Sequence, residues 1–345
     1  MLSLLEGIKA IEAGEDMSIR LDNFMDLYYQ QEVNVMKRDQ MELRKKLQQL
    51  LGTFSFPQTD KKQSRIEVKE FASYKRERYL IPSLRGLMIP TYVLTPKSNN
   101  KAFETVIALH GHGYGSKEIV GLREDGTENT GEPGIHQHFA VELVKRGMKV
   151  FAPEVIGFGE RRHSKDLANN MANSCYSLAT LLLMSGKTLA GLRVAETRHL
   201  LDQLKEFSDV DCDRIGLMGF SGGALVAAYA SALDRRVKAT VLTGFTNTFK
   251  GSILHTNHCI DNYVPGILRY GELPDYISLI CPRALFVESG LRDPIFPFET
   301  TKKAIEELKE IYDRLDLKEQ FMFDLFDGGH EVSGRSAYDW LTSNL

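Results

Sequence analysis

The chain has 345 residues, 43% of them hydrophobic, enough for one large domain with an appendage. Its 43 basic and 46 acidic residues leave a formal charge of -3, without the basic excess expected of a nucleic-acid or polybasic membrane surface. Four scattered cysteines (Cys175, Cys212, Cys259, Cys281) lack C-x-x-C spacing, so neither a disulfide framework nor a zinc pattern is expected from spacing and a reducing cytoplasm fits.

Residues 1–10 lack the basic start and cleavage site of a secretory leader, and no run reaches the roughly 18 apolar residues of a membrane span. A soluble cytoplasmic protein is expected. Residues 1–52 read as helical, with Leu21, Phe24, Met25 and Tyr28, then Met36, Leu43, Leu47, Leu50 and Leu51, at helical spacing. Gly52 and Pro57 end that pattern, so 1–57 is expected to be a helical extension packed on the main domain, with a lid or a homodimer contact as its sharper alternatives.

From 64 to 95 the texture is that of an antiparallel meander at a sheet edge: Arg65–Val68 alternates, then 79–82 and 87–94 follow. Strand-like runs at 105–109, 149–152, 214–218, 237–242, 284–288 and 320–326 then alternate with helical segments at 136–146, 173–184, 190–206, 223–233, 299–312 and from about 335. Such alternation predicts an α/β domain over 58–345, a mostly parallel sheet flanked by helices. The polar and aromatic block around 245–280 is expected to be a lid or pocket wall.

The run Gly219-Phe220-Ser221-Gly222-Gly223 follows an apolar strand and opens a small-residue helix, the context of a nucleophile elbow. A serine hydroxyl needs a base to take its proton and an acid to orient that base. Asp293, in the loop after strand 284–288, and His330, the only histidine beyond it, supply both in the order serine, acid, histidine. Glu288 competes as the acid but falls inside its strand. The loop His110-Gly111-His112-Gly113 follows strand 105–109, and the backbone N–H groups of His112 and Gly222 are the expected oxyanion donors. A metal role for His110 and His112 finds no Asp, Glu or Cys partner at matching spacing. His136 and His138 at a helix start, and His255 and His258 in a loop, read as surface or structural residues rather than metal ligands. His258, Asp261, Asn262 and Arg161 are further substrate-contact candidates. An arginine there suits a substrate carboxylate, with a structural salt bridge as its competing reading.

On these motifs the chain resembles α/β-hydrolases of the dienelactone hydrolase and acetyl xylan esterase-like branch, over about residues 40 to 345. The blocks that carry the resemblance are 42–52, His110-Gly111-His112-Gly113, 153–161, 211–216 and 258–266. The resemblance implies a triad of Ser221, Asp293 and His330 with no metal or organic cofactor, and a small-molecule ester as substrate. Two positions depart from the pattern. True dienelactone hydrolases use cysteine where Ser221 stands, so lactone opening is not implied. Glu154 also replaces the usual aspartate after Pro153. The resulting expectation is ester hydrolysis through an acyl-enzyme. The same triad acting on another acyl or carbon–carbon bond, and a non-catalytic binding protein on the same scaffold, are its alternatives.

Overall fold

In the computed structural model, residues 21–33, 39–56 and 63–345 are described. Of the helical extension expected over 1–57, residues 1–20, 34–38 and 57 lie outside them. Helices α1 (Leu21–Glu32) and α2 (Gln40–Leu51) come first. The antiparallel strands β1 (Ser64–Glu70), β2 (Tyr74–Pro82) and β3 (Met88–Pro96) follow. The alternating part begins with β4 (Phe103–Leu109), α3 (Phe139–Lys145) and β5 (Lys149–Pro153). Three helices intervene: α4 (Ser164–Ala168), α5 (Cys175–Met184) and α6 (Leu189–Gln203). The chain closes with β6 (Val210–Phe220), α7 (Gly222–Leu233), β7 (Val237–Thr243), α8 (Leu273–Ser278), β8 (Ala284–Gly290), α9 (Phe298–Arg314), β9 (Phe321–Phe326) and α10 (Ala337–Ser343).

The nine strands of the described residues form one sheet in the order β1-β2-β3-β5-β4-β6-β7-β8-β9. The pairs β1·β2, β2·β3 and β3·β5 are antiparallel, and the remainder are parallel. Because side chains alternate across a strand, the central strands feed two cores. Ile107, Leu109, Ile215, Leu217, Leu285 and Val287 join one face with residues of α2, α6, α7, α8 and α9. Val106, Ala108, Met218, Phe220, Ala284 and Phe286 join the other with α3 and α10. At the outer edge, β1 is exposed along its whole length and carries charge at Arg65, Glu67, Lys69 and Glu70, which discourages pairing with another chain.

The two N-terminal helices differ. In α2, Leu43, Leu47 and Leu51 recur every four residues and are buried, and Arg44 donates to the carbonyls of Ala232 (2.7 Å) and Leu279 (2.8 Å). In α1, Leu21, Phe24, Met25 and Tyr28 are all more than half exposed, although their spacing is helical. Polar contacts tie it to the domain: Asp26 with Lys250 (2.9 Å), Glu32 with Arg269 (3.2 Å), and Tyr29 with Glu272. No single helix among the described residues is long and apolar enough to cross a membrane.

Candidate active site

The parallel strands deliver their loops to one end of the sheet, where open α/β sheets build their sites. At the end of β6 the backbone turns so sharply into α7 that Ser221 takes φ 54° and ψ -121°, a conformation that side chains other than glycine rarely adopt. Two glycines permit the turn. A Cβ on Gly219 would lie 2.3 Å from the Gly223 carbonyl oxygen, and one on Gly223 would lie 2.1 Å from that of Leu109. The Ser221 amide donates to the Thr243 carbonyl at 2.9 Å and fixes the elbow to β7.

His330, in the loop after β9, places Nε2 2.9 Å from Ser221 Oγ and Nδ1 2.7 Å from Asp293 Oδ2. Asp293 lies after β8 with its side chain fully buried, and its other oxygen accepts from the amides of Ile295 (2.8 Å) and Phe296 (3.0 Å). The rings of Phe220 and Phe296 flank His330, with centroids 4.9 and 5.7 Å away. Glu288, the competing acid, points elsewhere. It accepts from Thr243 Oγ1 (3.0 Å) and the amides of Ser333 (3.2 Å) and Gly334 (2.7 Å), and burial pushes its carboxyl up to about 7.

The loop after β4 packs directly on the elbow. A Cβ on Gly111 would meet the Phe220 carbonyl oxygen at 2.9 Å, and one on Gly222 would meet the His112 ring at 3.1 Å. Buried polar groups brace this loop from below. His136 Nε2 accepts from the Gly111 amide (3.1 Å), while its Nδ1 lies 2.7 Å from Glu118. His110 Nε2 accepts from the Val155 amide (3.1 Å). Glu154 accepts from the amide and hydroxyl of Ser116, both at 3.0 Å, and lies 3.2 Å from His110. The departure at 154 therefore affects the support of this loop: a Cβ on Gly115 would sit 2.2 Å from the glutamate.

Next to Ser221 opens a cavity of about 290 Å³. Ile135, Phe220, Ile295 and Phe296 give it apolar walls, and His112, Asn257, His258 and Asn262 give it polar ones. His258 Nε2 has no hydrogen-bond partner among the described residues, and burial pushes that imidazole down toward its neutral form.

Two of the expected substrate contacts, Arg161 and Asp261, lie outside the lining of this cavity. Arg161 does not line the cavity; its guanidinium makes a buried bidentate pair with Glu196, both bonds 2.7 Å, the salt bridge that competed with the substrate reading. Asp261 is buried behind the wall, ion-paired with Arg193 and 3.2 Å from His112 Nε2. Burial opposes its ionisation, but Arg193 and then His112 hold its carboxyl well below the usual carboxylate range. Burial likewise opposes a charged His112, yet Asp261 and Cys175 beside the ring lift it to about 9. Arg193, Cys175 and Cys259 complete this cluster, although spacing along the chain did not connect them to His112.

The sheet order, the strained serine at the end of β6 and the acid and histidine after β8 and β9 define an α/β-hydrolase fold. The chain belongs to the Abhydrolase family, whose model matches residues 20–325. It is 28% identical over 232 residues, 65% of its length and 71% of the relative's, to the "Putative hydrolase YtaP" of Bacillus subtilis. Among solved structures it is similar to a "putative acetyl xylan esterase" of Bacteroides fragilis (TM-score 0.75, 16% identity, 91% of this chain and 84% of the other). A glucuronoyl esterase of Solibacter usitatus is a further fold relative (TM-score 0.66, 13% identity, 89% and 91%).

Proposed function

We propose that this protein is a serine esterase that cleaves a carboxylic ester through an acyl-enzyme. The observation that carries the reading is the hydrogen-bonded chain Ser221–His330–Asp293 at the mouth of a cavity. His330 Nε2 takes the Ser221 proton as Oγ attacks the ester carbonyl. Asp293 keeps the Nδ1–H tautomer and stabilises the imidazolium that forms. The amides of Gly222 and His112 receive the oxyanion, with Gly222 placed at the first turn of α7, where backbone N–H groups have no helical partner. His330 then protonates the leaving alcohol, and a water deprotonated by the same ring releases the acid.

The cavity supports a short acyl group against Phe220, Ile295 and Phe296, with a hydroxyl-rich alcohol facing His258, Asn257 and Asn262. A sugar ester has that character, and the fold relatives named as acetyl xylan and glucuronoyl esterases make it the first substrate class to assay. Hydrolysis of an aryl acetate and of acetylated and uronoyl sugar esters, by wild type and by Ser221→Ala, tests the reading. Turnover by wild type and none by the folded variant is expected; equal turnover by both would overturn it.

A further inference from the structure

We propose that His112, Cys175, Cys259 and Asp261 form a zinc site in the wall of the cavity. The four residues come from three segments: the loop after β4, the first residue of α5, and the run Cys259-Ile260-Asp261 between β7 and α8. Their ligand atoms all lie within 4.8 Å of one another. Two thiolates, one imidazole and one carboxylate are a donor set that suits zinc over magnesium or calcium, which prefer oxygen ligands alone.

The two edges from Asp261 Oδ2 to His112 and Cys175 have the lengths of tetrahedral zinc edges. With typical zinc bond lengths, such edges are about 3.3 Å from nitrogen to oxygen and about 3.5 Å from sulfur to oxygen. His112 Nε2 is 3.2 Å from Asp261 Oδ2, and Cys175 Sγ is 3.5 Å from the same oxygen. His112 Nε2 is buried and has no aligned hydrogen-bond partner among the described residues, so a cation in the cluster would meet it once the ring has given up its proton.

Arg193 supplies the outer shell. It donates to Asp261 Oδ2, to Cys175 Sγ (3.1 Å) and to the Ile156 carbonyl (3.0 Å), and so orients two of the ligands from behind. The charges balance. Two thiolates and one carboxylate carry -3, and the dication with Arg193 carries +3. On binding, one zinc ion enters and the two thiol protons leave to solvent, with any proton on the imidazole.

Four protein ligands close the coordination sphere, which makes this a structural site. It fastens α5 and the Cys259–Asp261 run to the loop bearing the proposed oxyanion donor. It is independent of the ester reading, because its readout is spectroscopic.

The test is to titrate cobalt(II), then zinc(II), into reduced, chelator-treated full-length protein. One cobalt per chain is expected, with a thiolate-to-cobalt charge-transfer band and tetrahedral visible bands that zinc displaces. Cys259→Ala should weaken metal binding about a hundredfold or more and remove part of that band. Cys212→Ser, at an exposed cysteine outside the cluster, should leave it intact. Circular dichroism of the metal-free variants controls for folding. No stoichiometric uptake by the folded wild type would overturn the site, as would a band unchanged by Cys259→Ala, or uptake lost equally in Cys212→Ser.

Discussion

Two histidines flank Ser221, each with an aspartate behind it, and their surroundings set them to different work. His330 is joined to Asp293, whose charge is met by backbone amides, and its far nitrogen is left facing the serine hydroxyl. His112 lies against Asp261, whose charge is met by the buried guanidinium of Arg193, and thiols rather than a hydroxyl surround it. An aspartate beside an imidazole is therefore not itself a catalytic signature. What else surrounds the ring, a serine hydroxyl in one case and a cluster of thiols in the other, is what sets the two pairs apart.

The largest expected effect lies on the His330 side. His330→Ala should lower ester turnover by about 10⁴-fold or more, and Asp293→Asn by about 10⁴-fold, while urea unfolding stays near wild type. If either variant kept turnover within tenfold of wild type, the assignment of its residue would fail.

The matching change on the other side should damage stability first. Asp261→Asn leaves the Arg193 guanidinium buried without its anion, at a cost of about 3–5 kcal/mol in unfolding free energy. A stable variant with turnover as low as Asp293→Asn would erase the distinction between the two pairs.

Glu288 sharpens the comparison from a third position, as a carboxyl near the site that is bonded to neither histidine. Its folded value of about 7 stands above its ordinary 4.5, so the folded state holds the proton more tightly than the unfolded one. That stability is fully present below pH 4.5 and is lost as pH rises through 7, a change of about 3 kcal/mol. Denaturation of wild type and Glu288→Gln across that range should show the wild type losing ground to the variant as pH rises. A constant difference would contradict a perturbed Glu288.

The smallest effect is expected at α1. Phe24 is 58% exposed, so Phe24→Ser should change unfolding free energy by less than about 0.5 kcal/mol. A larger loss, measured at several protein concentrations, would mean that this face is covered by a second chain.

Much of this was legible in the residues. Strand–helix alternation marked the parallel sheet, and Gly219-Phe220-Ser221-Gly222-Gly223 marked the elbow, because a tight turn constrains nearby residue types. Asp293 and His330 stand out as candidates in the sequence because each follows its own strand in chain order. Burial of α1 was not legible: helical spacing of Leu21, Phe24, Met25 and Tyr28 specifies a face but not what covers it. Nor was the environment of His112. Its cluster joins Cys175, Arg193, Cys259 and Asp261 across long stretches of chain, and only the fold brings them together. Arg161 could as well meet a substrate as Glu196, and sequence spacing does not rank those partners.

The most direct test of the central claim is intact-mass and peptide mass spectrometry of the protein after reaction with a fluorophosphonate, which traps an activated serine. One adduct per chain is expected on Ser221, absent in Ser221→Ala and formed far more slowly in His330→Ala. A folded protein that takes no label, or takes it on another residue, would contradict that claim.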